Sequence, residues 1–117
     1  MALRGFHPDI APRATGRLKV SGLHEIHYEL CGNPQGKPVV MLHGGPGGGS
    51  SPMLRRFHDP AHYNIVIFDQ RGAGRSTPLG EVRENTTPLL IADIERLRQH
   101  LGPTRWTFVG VGALIVL

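Results

Sequence analysis

The chain has 117 residues, 39% hydrophobic and 19% charged, with a formal net charge of +4, which bounds it to one globular domain and excludes a disordered polymer. Its arginines are scattered from Arg4 to Arg105 with no stripe of interleaved aromatics, so the positive charge is not read as a nucleic-acid footprint. Cys31 is the only cysteine, which excludes an intramolecular disulfide and a cysteine-rich metal framework.

Residues 1–16 read as an extended arm. The segment 1–17 carries no apolar core of a secretory signal, and the longest apolar stretch, 111–117, is far short of the ~20 residues of a membrane span. The expectation is a cytoplasmic protein with no membrane partner. Leu18-Lys19-Val20 and Ile26-His27-Tyr28-Glu29-Leu30 alternate apolar with polar residues around Ser21-Gly22, which predicts an antiparallel hairpin with one half-buried face. His24 and His27, beside that turn, are expected in solvent, and Cys31 is expected as a buried structural thiol.

After the turn Asn33-Pro34-Gln35-Gly36 comes a continuous apolar run, Val39–Leu42, as suits a strand covered on both faces. Two more such runs follow, Ile65–Phe68 and Trp106–Val109. A short helical turn is expected around Met53–Phe57. His58 and His62 have the i, i+4 spacing of a metal pair, but Pro60 between them disfavours the helix that this spacing requires. The clearest helix lies between the second and third runs. Thr87 is placed at its N-cap and Pro88 at its first position, Leu90, Ile94, Leu97 and Leu101 share one face, and Gly102-Pro103 end it. Asp93 and Glu95 ahead of Arg96, Arg98 and His100 suit the helix dipole. Strand, helix and strand then make a right-handed crossover in a parallel sheet.

The chemistry is concentrated in two loops that follow buried strands. His43-Gly44-Gly45-Pro46-Gly47-Gly48-Gly49 lacks the lysine of a phosphate-binding loop, and Pro46 breaks a dinucleotide fingerprint. What remains is a plain glycine turn or a loop whose bare backbone N–H groups meet a developing negative oxygen. Asp69-Gln70-Arg71-Gly72-Ala73-Gly74-Arg75-Ser76 is the companion loop. Gly72 and Gly74 allow a sharp reversal, Asp69 and Ser76 can bond the loop's own backbone, and Arg71 or Arg75 can neutralise Asp69. This loop is read as support for the first, not as a source of a catalytic acid.

Together the two loops resemble the proline iminopeptidase (prolyl aminopeptidase) family of α/β-hydrolases. Tyr28–Pro34, Asn85-Thr86-Thr87, Asp93–Arg98 and Trp106 extend the resemblance from about Leu18 to Gly110. It implies a serine peptidase that releases N-terminal proline from peptides, without a metal or organic cofactor. It also implies that His43, Gly44, Gly45, Pro46 and Gly47 form the oxyanion loop, supported by Asp69, Gln70, Arg71, Gly72, Gly74 and Ser76. In the family the strand after Trp106 runs into Gly-Gly-Ser-Trp-Gly-Ser. Here the aligned serine position is Gly112, which has no Oγ, and the acid and histidine expected further downstream are absent.

The expected architecture is therefore a partial α/β-hydrolase sheet over 17–110, with an N-terminal antiparallel hairpin, parallel strands and one crossover helix, followed by a divergent apolar tail, 111–117. Such a chain is expected to be an inactive N-terminal portion that self-associates, because Ile65–Phe68 or Trp106–Val109 would lie near an uncovered edge. A portion of another α/β-hydrolase, such as an esterase or epoxide hydrolase, and a non-enzymatic binding module are the alternatives.

Overall fold

Residues 7–43, 49–103 and 106–110 are described by the structure, a computed structural model. The alternating segment forms β1 (Ala14–Lys19) and β2 (Glu25–Gly32), paired antiparallel from Ala14↔Leu30 to Lys19↔Glu25. β1 thus begins inside the segment read as the arm. Further back, His7 and Arg56 are joined by a backbone bond from the His7 N–H to the Arg56 carbonyl at 2.8 Å.

The continuous runs become β3 (Lys37–Leu42), β4 (Tyr63–Phe68) and β5 (Thr107–Gly110). The sheet order is β1-β2-β4-β3-β5, with β3 parallel to both β4 and β5, and β4 antiparallel to β2. β4 is therefore interior and β5 is at an end, so of the two runs expected near an edge, Ile65–Phe68 or Trp106–Val109, it is the second that lies there. The hairpin folds back so that β2 covers β4's far side, from Tyr28↔Phe68 to Gly32↔Asn64. Among the described residues the sheet ends at β1 and β5.

Alternation along β3 and β4 explains why these runs need no polar positions. Val40, Leu42, Val66 and Phe68 face helix α1 (Thr87–Leu101) and pack with Ile26, Tyr28, Ile94 and Leu97. Val39, Met41, Ile65 and Ile67 point the other way, onto Cys31, Leu54 and the partly buried Ile10 and Phe57. Leu54 belongs to a single 3-10 turn, Pro52–Arg56, where the short helix was expected. Both faces of the central strands are thus dry, and each fully buried aliphatic side chain contributes about 1.5–3 kcal/mol.

Helix α1 follows its apolar spacing, but its start differs by one residue. Thr86 holds the cap position in an extended conformation with no side-chain cap bond, and its carbonyl accepts the Leu90 N–H at 2.9 Å. Pro88 fits the first or second helical position equally, because neither N–H is bonded within a helix. It marks the first turn and not the exact residue. Gly102 ends the helix at φ 104°, giving its N–H to the Arg98 carbonyl.

The expectation that His24 and His27 lie in solvent fails. His24 is fully buried, because residues 77–85 fold back over the hairpin turn. Its Nε2–H donates to the Arg83 carbonyl at 2.7 Å, and Glu25 and Thr77 exchange backbone bonds beside it. His27 is half-buried. Asp93, read only for its place in the helix's charge order, is buried. His62 lies 3.5 Å from Asp59, while the His58 ring packs edge-on against Tyr63. No helix among the described residues is long and apolar enough to cross a membrane.

Candidate functional site

Parallel strands in register end together, and the loops that leave them share one rim. Leu42 pairs with Phe68 on one side and with Gly110 on the other, so β3, β4 and β5 terminate side by side. Ligands of open α/β sheets are met at this carboxyl edge. The first residue past β3 is His43, and the first past β4 is Asp69. Of the expected oxyanion loop, Gly44, Gly45, Pro46 and Gly47 lie outside the described residues, as does Gly112.

His43 is almost fully buried and is held by Gln70 at two points. The Gln70 backbone N–H donates to His43 Nε2, and the Gln70 side-chain Nε2 donates to the His43 carbonyl, both at 2.9 Å. A backbone N–H can only donate, so Nε2 carries no proton and the ring is neutral with its proton on Nδ1. The stem of the glycine loop is thereby locked to the stem of its companion. This ring serves as a brace and does not present a base to a ligand through Nε2.

Asp69 braces the same region from the side. Its Oδ1 accepts the Ser50 N–H at 2.6 Å, where the chain leaves the glycine loop, and its Oδ2 accepts the Arg75 N–H at 3.1 Å. Burial opposes ionisation of Asp69, but the bonds from Ser50 and Arg75 outweigh it and hold the carboxyl below its usual range. Ser76 Oγ donates to the Asp69 carbonyl at 2.5 Å and accepts the His27 N–H at 2.9 Å, which ties the loop's end to β2. Asp69 and Ser76 thus bond backbone as expected.

Gly74 is required by this packing. It has φ 53°, and a Cβ there would lie 2.6–2.8 Å from the Asp69 carboxylate. Gly72, at φ 76°, lies so close to the Glu81 carbonyl that a Cβ would stand 2.5 Å from it. Both glycines expected at the reversal are therefore needed for conformation and for space.

The expected partner of Asp69 is corrected. Arg71 turns away from it and forms a two-pronged pair with Asp93 of α1, Nε to Oδ2 at 2.7 Å and Nη2 to Oδ1 at 2.8 Å. Its Nη1 donates to the Glu84 carbonyl at 2.7 Å. Arg75 Nη2 lies 3.7 Å from Glu29, which itself takes a two-pronged pair from Arg55 at 2.7 and 3.1 Å. The Asp69 charge is met by N–H groups instead of a cation, and the planar guanidinium of Arg71 is matched to the carboxylate that α1 presents. Sequence reasoning missed both buried pairs. For Asp93 a signal existed: it lies three residues after Leu90 and four before Leu97, on the helix's buried face.

Beside His43, a cleft of about 310 Å³ runs between residues 70–73 and 80–85. Gln70, Glu81 and Asn85 border it, and a smaller cleft reaches from Gln70 and Asn85 to Thr86 and Thr87 at the start of α1. Glu81 and Asn85 were not singled out as site residues from the sequence, although Asn85 begins one of the segments that carry the resemblance.

A family described as alpha/beta hydrolase fold matches residues 37–113, from the start of β3 to just beyond β5. The proline iminopeptidase of Xanthomonas citri is 60% identical over 108 residues, which cover 92% of this chain and 34% of that protein. The proline iminopeptidase of Xylella fastidiosa (strain Temecula1) is 56% identical over 108 residues, with the same two coverages. Among solved structures, a proline iminopeptidase-related protein from Thermus thermophilus superposes with a TM-score of 0.71 at 33% identity, covering 83% of this chain and 35% of that one. The chain spans about a third of the length of the relatives it matches.

Proposed function

The chain belongs to the alpha/beta hydrolase family, and we propose that it supplies the oxyanion side of a serine-type hydrolase that releases N-terminal proline from peptides. The observation that carries this reading is the pair of hydrogen bonds between His43 and Gln70 at the carboxyl ends of β3 and β4. It braces the strand end from which Gly44 and Gly45 depart, next to the strand whose continuation leads to Gly112.

On this reading a serine attacks the carbonyl of the N-terminal residue, and negative charge grows on the carbonyl oxygen. A backbone N–H from Gly44 or Gly45 and a second from the residue after the nucleophile hold that oxygen, each worth about 3–4 kcal/mol of barrier. Glycine is used because side chains would block the approach. The position that aligns with the nucleophile holds Gly112, so no acyl-enzyme forms on this chain and it releases no proline by itself. The peptide substrate is that of the complete hydrolase. A cytoplasmic setting agrees with the single buried free thiol, Cys31, and self-association through the β5 edge agrees with the end of the sheet there.

A segment exchange tests the reading. Residues 18–110 replace the aligned segment of the Xanthomonas citri enzyme, and release of proline from a chromogenic proline amide is measured. The expected result is turnover within about tenfold of the parent, since the transition-state donors are retained. A second exchange that continues through Gly112 is expected to fold and be inactive. A folded 18–110 exchange without turnover overturns the proposal.

A further inference from the structure

The cleft between residues 70–73 and 80–85 is walled by side chains whose donors are largely committed elsewhere. The Arg71 guanidinium is engaged by Asp93 and the Glu84 carbonyl. Asn85 Nδ2 donates to the carbonyls of Arg71 and Glu81, at 2.8 and 3.2 Å. Gln70 directs its backbone N–H and its side-chain Nε2 to His43. What these residues leave for a ligand is oxygen: Asn85 Oδ1 and Gln70 Oε1, which receive no hydrogen bond among the described residues, and the Glu81 carboxylate.

That carboxylate already holds a cation. Glu81 Oε1 accepts Arg83 Nε and Nη2 at 3.1 and 2.7 Å, and Oε2 accepts the Arg83 N–H at 3.0 Å. The Arg83 side-chain bonds, and then its backbone N–H, pull the Glu81 carboxyl down to about 2, so it is ionised at neutral pH. The two side chains differ in setting: Glu81 is 16% exposed against the cleft, and Arg83 is 74% exposed. An exposed ion pair is held weakly, so an incoming cation can exchange with Arg83. Val82, 81% exposed at the cleft's border, offers a methyl surface along which an aliphatic stem can lie.

We propose that this cleft binds the side-chain cation of a lysine or arginine in a peptide, with the charge on Glu81, the oxygens of Asn85 and Gln70 around it, the stem along Val82, and Arg83 displaced. The inference stands on the cleft's own donors and acceptors and is independent of any hydrolase chemistry at the neighbouring loop.

The test is a titration of the full chain, following the amide resonances of residues 80–85. N-acetyl-lysine amide carries the side-chain ammonium alone, glycinamide the N-terminal ammonium alone, and N-acetyl-norleucine amide neither. N-acetyl-lysine amide is expected to shift these resonances at millimolar concentration, more weakly as salt rises, and the norleucine analogue not at all. Glu81→Gln is expected to weaken binding about tenfold, whereas Arg83→Gln, which removes the competing cation, is expected to tighten it about threefold. A purely structural pair would make both substitutions act in the same direction. Equal binding of the norleucine analogue, unchanged affinity in Glu81→Gln, or weaker binding in Arg83→Gln overturns the proposal. Tighter binding of glycinamide than of N-acetyl-lysine amide overturns the side-chain assignment.

Discussion

Arg71 and Asp93 offer the sharpest test of how the rim is held. Their side chains are only 5% and 2% exposed and share two bonds of 2.7 and 2.8 Å. Replacing Asp93 by leucine leaves a guanidinium in the interior with only the Glu84 carbonyl, and replacing Arg71 by methionine leaves a bare carboxylate. Removing one partner of a buried pair costs about 3–5 kcal/mol, because the other charge is stranded. The double replacement strands nothing and loses one bond to a carbonyl, about 1 kcal/mol. With a urea slope of about 1.5 kcal/mol/M, each single variant is expected to lose about 2–3 M in midpoint, and the double variant less than 1 M. Urea unfolding followed by far-ultraviolet circular dichroism and by Trp106 fluorescence measures all four proteins. Single variants that lose less than about 1 kcal/mol, as an exposed pair would, or a double variant as unstable as the sum of the two, would falsify the reasoning.

Three further outcomes follow from the same geometry. Gly74→Ala places a methyl 2.6–2.8 Å from the Asp69 carboxylate at φ 53°, and a loss of at least about 2 kcal/mol is expected from urea midpoints; an unchanged midpoint refutes the close packing. Asp69, held low by Ser50 and Arg75 against its burial, contributes stability that is fully present above its unfolded value of about 3.9 and is lost as pH falls through the lower folded value. Asp69→Asn should therefore be less stable at pH 7 and show a flatter acid limb below about pH 4, read by thermal melts across pH. Burial, then the nearby Glu29, pushes the Cys31 thiol up to about 11, so at pH 8 only about 0.1% is thiolate. Iodoacetamide should alkylate the native chain at least about a hundredfold more slowly than the urea-unfolded chain, and comparable rates would contradict the burial.

What could be read from the sequence was what a short window determines. Val39–Leu42 and Ile65–Phe68 are continuous because both faces of β3 and β4 are covered, and the spacing of Leu90, Ile94, Leu97 and Leu101 marks one side of α1. Gly72 and Gly74 carry the reversal that their position after a buried strand suggests. What could not be read depends on segments far apart in the chain. β4 is interior because β2 returns to its far side, and His24 is buried because residues 77–85 cross the hairpin turn. Arg71 had two acids within plausible reach, and local sequence favours Asp69, two residues away. The choice of Asp93 depends on where α1 comes down on the sheet. The one local clue was Asp93's place on an apolar helix face, where an unpaired carboxylate could not remain.

The three residues that follow β4 point in three directions, and this gives the rim its stiffness. Asp69 ties to Ser50 and Arg75, Gln70 to His43, and Arg71 to Asp93 and the Glu84 carbonyl. The strand exit is thus anchored at once to the return of the glycine loop, to its start and to the helix across the sheet. Donors that wait for a developing charge are effective only when they need not reorganise as it appears. Such donors must be held by residues that never touch the ligand. On the proposed reading, the buried His43, Asp69, Arg71, Ser76 and Asp93 are spent on that support, while the nucleophile's aligned position carries only Gly112. The bonds around His43 are therefore those of a brace, which is what the proposed reading asks of this strand exit.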